Sequence, residues 1–186
     1  MNCSCIILAG GEAKRLPDKP FFLFSGKPLI LHVIEKAERV FDDIVIVVKS
    51  EEQKEKMSKL IKNKIAIDNN KIFSPIAGIK EGIRHIKNDF FFLLACDMPH
   101  IDEKIILDMT SMINYEIDCI AAFSRGIEPF FSVYKKNIFF NAKENDSLQS
   151  MIRKSKSAFI EIENKEVFFN INELNNISPP HKVPPA

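Results

Sequence analysis

The chain has 186 residues, 46% of them apolar, and a formal charge of +1 at neutral pH. That length suits one domain with a real core, and the near-neutral balance excludes the global basic field that gathers nucleic acid, so no nucleic-acid partner is expected. No apolar run approaches the roughly 20 residues that span a bilayer, and Met1-Asn2-Cys3-Ser4 lacks the pattern of a secretory leader, so a cytoplasmic protein without a membrane contact is expected.

Cys5-Ile6-Ile7-Leu8 reads as a short buried strand, and it opens onto the loop Leu8-Ala9-Gly10-Gly11-Glu12-Ala13-Lys14-Arg15-Leu16-Pro17-Asp18-Lys19-Pro20. Paired glycines let backbone pass close to a bound group, because no Cβ intervenes, and successive N–H groups make an anion cradle. Arg15 and Lys19 add two cations, a combination suited to a nucleoside triphosphate. The dinucleotide fingerprint is absent, since only Gly10 and Gly11 are present. The P-loop pattern is absent too: Pro28 follows Gly26-Lys27, and Phe21 stands five before Gly26. The plainer alternative is a glycine turn with solvated charges.

Phe21 to Phe24 lead to a turn at Ser25-Gly26-Lys27-Pro28. Leu29, Ile30, Val33, Ile34, Ala37 and Val40 fall at helical spacing. Ile44–Val48 is a continuous β-branched run, as in a strand covered on both faces. Ser50 can cap a polar helix running to about Lys62, and Ile65–Ile67 is a short strand. Strand, helix, strand, helix, strand predicts an α/β domain with a parallel sheet. Asp68 then stands at a strand's carboxyl end, where such sheets bind ligands; starting a turn before Asn69-Asn70 is its alternative role.

Pro75 leads into a helix to about Ile86, with small Ala77 and Gly78 allowing close approach of a neighbour or ligand. Phe90–Ala95 reads as a central strand ending at Asp97. An acid there is costly unless paired, and Mg2+, commonly held by one or two carboxylates plus phosphates and water, would pair it. The alternative is a cap on the next helix, although Asp102 can cap that helix itself. Further along come a helix over Ile105–Ile113, a strand over Ile117–Phe123, a loop over Ser124–Pro129, a strand over Phe130–Tyr134 and a helix over Ser147–Lys154. Arg125 in that loop is a phosphate contact or, more simply, a solvated surface group. Phe159–Ile162 and Val167–Phe169 look like late strands, whose alternation would put Asn170 and Asn172 on one face. The proline-rich stretch 178–186 cannot continue a regular element and is expected to be an arm on a single domain of residues 1–177. Cys3, Cys5, Cys96 and Cys119 show no zinc spacing and are expected to be buried free thiols.

Four stretches in order carry a resemblance: Leu8-Ala9-Gly10-Gly11 with Arg15 and Asp18-Lys19; Pro75-Ile76-Ala77-Gly78-Ile79; Leu94-Ala95-Cys96-Asp97-Met98-Pro99; and Phe169-Asn170-Ile171-Asn172. From about residue 4 to about residue 176 the chain resembles nucleotidyltransferases of the molybdenum cofactor guanylyltransferase family. The resemblance implies a Rossmann-like three-layer α/β sandwich of the nucleotide-diphospho-sugar transferase type. It implies transfer of GMP from GTP to the phosphate of molybdopterin with release of pyrophosphate, Mg2+ as cofactor, and room for a molybdoenzyme or cofactor-delivery partner. It places Leu8, Ala9, Gly10, Gly11, Asp68 and Gly78 at the nucleotide and Asn170 and Asn172 at the acceptor. It gives phosphate neutralisation to Arg15 and Lys19 and the metal to Asp97. The alternatives are a related transferase using a sugar phosphate, a cobamide precursor or CTP, and a non-catalytic nucleotide-binding module. The chain departs from the family pattern at Leu16-Pro17, at Ser74, where glycine often precedes the proline, and at Glu173, where threonine is usual.

Overall fold

The computed structural model describes residues 2–10 and 18–171. The first strand, β1 (Cys3–Leu8), is buried nearly throughout. A small hairpin, β2 (Leu23–Phe24) and β3 (Lys27–Pro28), turns through Ser25 and Gly26, both at positive φ. Helix α1 (Leu29–Ala37) follows, then β4 (Ile44–Val48), α2 (Glu51–Ser58) and β5 (Lys64–Ile67). Ser50 caps α2, its side chain accepting from the Gln53 N–H at 3.1 Å. Next are α3 (Pro75–Ile83), β6 (Phe90–Ala95) and α4 (Glu103–Ser111). The chain continues with β7 (Cys119–Phe123), β8 (Ile127–Lys135), α5 (Leu148–Lys154) and β9 (Ser157–Glu161).

Seven strands form one sheet in the order β5-β4-β1-β6-β8-β7-β9. Only β8 runs against the others, pairing antiparallel with both β6 and β7. The α/β fold with a mostly parallel sheet is therefore present. Period-2 alternation sends side chains to two cores. Cys3, Cys5 and Ile7 of β1 meet α1, Met57 of α2, and Ile106 and Met109 of α4 on one face. Ile6 of β1 faces Ile76 and Ile79 of α3 and Leu148 and Ile152 of α5 on the other. These are the three layers. β6 is central for the reason its sequence suggests: five of its six residues are fully covered, with Phe92 against Phe131 at 5.0 Å and Phe91 against Tyr134 at 5.7 Å.

A polar network ties the amino ends of the strands. Asp43, just before β4, accepts from Ser4 Oγ at 2.6 Å, Lys64 Nζ at 2.7 Å and the Lys87 N–H at 2.7 Å. Burial pushes its carboxyl up, but Lys64, Ser4 and the Lys87 amide outweigh that and hold it below the usual range. With those ends fixed, the opposite edge of the sheet is left to form a site.

Several expectations need correction. Val167–Phe169 is not a strand; residues 165–168 form a 3-10 turn. The Asn164 side chain accepts from the Glu166 N–H and starts the turn, so Val167 is buried without strand pairing. Asn170 is accordingly not a strand residue, and the one-face argument for the asparagines fails. The expected loop over Ser124–Pro129 is shorter, because β8 begins at Ile127. Helices α2 and α3 end at Ser58 and Ile83, short of the expected ends near Lys62 and Ile86. Gly11, Arg15, Asn172 and the 178–186 arm lie outside the described residues. All four cysteines are buried and free, and burial pushes the Cys3 and Cys119 thiols up to about 12. Among the described residues no helix is long and apolar enough to cross a membrane.

Candidate active site

A cavity of about 600 Å³ opens across the carboxyl ends of β1, β4 and β6 and reaches the residues after β5. Chain order reverses at β1, whose neighbours are β4 on one side and β6 on the other. That is where an open α/β sheet leaves a crevice. Of the residues singled out in the sequence, Leu8, Ala9, Gly10, Lys19, Asp68, Gly78, Asp97 and Asn170 all line this cavity. Arg125 is exposed and does not line it, in keeping with a solvated group.

At the β4 side the backbone is closely packed. A Cβ on Gly10 would lie 2.8 Å from Lys49 Cγ, 2.9 Å from Lys49 N and 3.0 Å from Val48 C. The Ala9 N–H is already donated to Val47 O at 2.8 Å, and Leu8 O accepts from Cys96 N at 3.1 Å. Gly78 of α3 faces Leu8, with 3.2 Å from its would-be Cβ to Leu8 Cδ2. Asp68 starts the turn and also lines the cavity. Its Oδ1 accepts from the Asn70 N–H at 3.0 Å, a turn contact, and its Oδ2 pairs with Lys49 Nζ at 2.7 Å. Lys49 also donates to Asn70 O at 3.0 Å and Ile72 O at 3.3 Å, so one ammonium holds the start of the β5–α3 connection. Lys49 went unnoticed in the sequence. The signal was there: it follows the buried β4 run directly, as an acid follows β5 and β6.

At the centre, Lys19 Nζ pairs with Asp97 Oδ2, both side chains being mostly covered. Asp97 Oδ1 is buried and has no partner among the described residues. Asp102 caps α4 itself, accepting from Lys104 N at 2.8 Å and Ile105 N at 3.3 Å, so Asp97 is not that cap. The Ile171 N–H donates to Asp97 O at 3.1 Å, which brings Asn170 beside the acid.

Glu128 also lines the cavity, and no local pattern around it marks it as a site residue. Ala121 faces Ser132 across the β7–β8 pair, but Ala122 faces Glu128, so Pro129, Phe130 and Phe131 are extra residues in a wide bulge. Burial raises the Glu128 carboxyl above its ordinary value and outweighs the opposing hydrogen bond from Ser124.

The geometry has a counterpart in known proteins. Residues 5–161 match the MobA-like NTP transferase domain. The chain belongs to that family. It is 35% identical to a probable molybdenum cofactor guanylyltransferase of Natranaerobius thermophilus, over 77% of this chain and 71% of that one. It is 26% identical to a molybdenum cofactor guanylyltransferase of Campylobacter jejuni subsp. doylei, over 91% of this chain and 90% of the relative. The solved structure of molybdopterin-guanine dinucleotide biosynthesis protein A from Archaeoglobus fulgidus superposes with a TM-score of 0.77 at 22% identity, covering 94% of each chain. A CMP:2-keto-3-deoxy-manno-octonic acid synthetase complexed with CTP shares the fold at a TM-score of 0.74 and 14% identity. As a MobA-like NTP transferase the chain is a nucleotidyltransferase, and the cavity described above is its candidate active site.

Proposed function

We propose that the protein transfers GMP from GTP to the phosphate of molybdopterin, releasing pyrophosphate and leaving a guanine dinucleotide. The observation that carries this reading is the buried Asp97 Oδ1, without a partner among the described residues, inside the cavity that Lys19 and Gly10 also line. Relatives named for guanylyl transfer along most of the chain supply the nucleotide and the acceptor.

The residues fit Mg2+ shared with a substrate. Among the described residues no group of three candidate ligands exists, so those residues offer no cage made only of protein. One carboxylate with an open oxygen suits a magnesium ion that takes its other ligands from phosphates and water. Asp97 would hold it, and the ion would supply neutralisation of the triphosphate charge. Lys19 would meet the phosphates, together with Arg15, and Gly10 and Gly11 would admit them close to backbone. Asp68, fixed by Lys49, and Gly78 would border the nucleoside, along with Leu8 and Ala9. Asn170 and Asn172 would face the acceptor.

In the reaction an oxygen of the acceptor phosphate bonds to the α-phosphorus of GTP. The bond from that phosphorus to the bridging oxygen breaks, and pyrophosphate leaves with the electron pair. The attacking oxygen is already anionic, so no strong general base is needed. The chain's work is alignment and charge neutralisation. Residues 1–177 would form the nucleotidyltransferase domain and 178–186 an arm, in a cytoplasmic enzyme whose product passes to a molybdoenzyme or delivery protein.

Melting curves with GTP, CTP, UTP and ATP, each with and without Mg2+, test the nucleotide, since a ligand of the folded state raises apparent stability. The largest shift is expected with GTP and Mg2+. A shift with CTP equal to or above that with GTP overturns the guanylyl assignment.

A further inference from the structure

The Glu128 carboxylate stands inside the cavity, and among the described residues no cation pairs with it. Its one side-chain hydrogen bond among the described residues is from Ser124 Oγ at 3.5 Å. Two ionised oxygens can accept about four hydrogen bonds, so most of that capacity is open. The bulge that presents it is fixed from below. Ser132 Oγ donates to Glu128 O at 2.8 Å, and Tyr134 Oη donates to Pro129 O at 2.7 Å. Both donor side chains are fully buried. Bulges of this kind re-aim side chains beside active sites, and two buried hydroxyls committed to one bulge hold its backbone in a single shape.

Position narrows what Glu128 can meet. In the sheet, Gly10 and Lys49 follow β1 and β4, Asp97 follows β6, and Glu128 lies on β8, the next strand beyond. The nucleotide side and the Glu128 side are thus separated by the Lys19–Asp97 pair. A carboxylate repels phosphate, so Glu128 is no phosphate contact; it needs N–H or O–H donors. Phe130 and Phe131 line the cavity next to it and offer a flat apolar wall.

We propose that Glu128 is a specificity-determining residue for the acceptor: its carboxylate takes adjacent N–H donors of the acceptor's heterocycle, such as the 2-amino group and ring N–H of a pterin. This rests on the guanylyl-transfer reading for which substrate occupies which side.

The test compares wild type with Glu128→Gln and Glu128→Ala, each first checked for an intact apo melting curve. Initial rates of dinucleotide formation are measured against molybdopterin at saturating GTP and Mg2+. The acceptor KM of Glu128→Ala should rise about 10- to 100-fold, the effect of losing hydrogen bonds to a charged group. Its kcat and its GTP-induced melting shift should stay close to wild type. Wild-type KM should also rise as pH falls through the Glu128 titration, and this rise should vanish in Glu128→Gln. A second measurement, independent of transfer, follows binding of fluorescent pterin to the protein with GDP and Mg2+. Binding by wild type and its loss in Glu128→Ala support the proposal even if no dinucleotide forms, a result that would sink guanylyl transfer alone. An unchanged KM and unchanged pterin binding overturn it. So does a loss of the GTP and Mg2+ shift in the variants, which would put Glu128 on the nucleotide or metal instead.

Discussion

Lys19 and Asp97, 78 residues apart in sequence, form a mostly covered ion pair in the middle of the cavity. The pair joins the segment after the glycine loop to the end of β6. Each group is therefore part of the resting structure as well as of the proposed chemistry, which changes what removing either should do.

Lys19→Ala should lower apo stability by about 1–3 kcal/mol, because it strands a buried acceptor. Turnover should also fall, by on the order of 10²-fold or more, as for loss of an electrostatic stabiliser. Urea denaturation beside steady-state kinetics checks both. An unchanged denaturation midpoint would show that the pair contributes nothing in solution.

Asp97→Asn keeps the size of the side chain and deletes its charge. Apo stability should drop less than in Lys19→Ala, since the lysine can extend into water while an amide stays. Turnover should collapse, and the Mg2+ dependence should move to higher concentration. Pyrophosphate release titrated with Mg2+ is the measurement. Wild-type activity at ordinary Mg2+ would end the metal assignment for this residue.

Gly10→Ala tests the close approach at the nucleotide side. The new Cβ would meet backbone at 2.9 and 3.0 Å, from Lys49 and Val48, and backbone does not yield as a side-chain tip does. We expect a lower apo melting temperature and loss of the GTP-induced shift. An intact shift would mean that the nucleotide does not depend on this stretch of backbone.

Glu128→Gln should stabilise the apo protein at neutral pH. The carboxyl is raised by burial, so the folded state binds its proton more tightly than the unfolded state. Stability is then lost as pH rises from the ordinary glutamate value to the raised one, and stays lost above it. The variant removes that loss. Its advantage over wild type should be present at pH 7 and fade toward pH 4, as read from paired denaturation curves; a constant difference across that range would contradict it.

Asp43 should behave with the opposite sign. Its carboxyl is held low by Lys64, Ser4 and the Lys87 amide against the cost of burial. Its contribution is full above the ordinary aspartate value and is lost as pH falls through the lowered one. Asp43→Ala should destabilise the protein strongly at pH 7, and the gap to wild type should narrow in acid. No narrowing would mean that packing, rather than charge, accounts for the residue.

Much of this molecule is legible in local pattern. The β-branched run Ile44–Val48 and the aromatic run Phe90–Ala95 report strands covered on both faces, because a strand with one wet face alternates. Leu29 to Ala37 declares a helix by its spacing, and Gly10, Asp68 and Asp97 declare a ligand edge by standing after such strands. Those signals act over a few residues, so local pattern is enough to set them. The tertiary structure decided what depends on strand order. It joined Lys19 to Asp97 and Lys49 to Asp68, pairs whose members lie on different elements. It reversed β8, and between Ala121 and Ala122 shifted its register enough to bring Glu128 into the cavity. It also turned Val167 and Phe168 into a short helix, since an apolar run reports burial but not the partner that buries it. Periodicity tells which face is dry; the charge that meets another across the sheet is set only when non-local strands have chosen their neighbours.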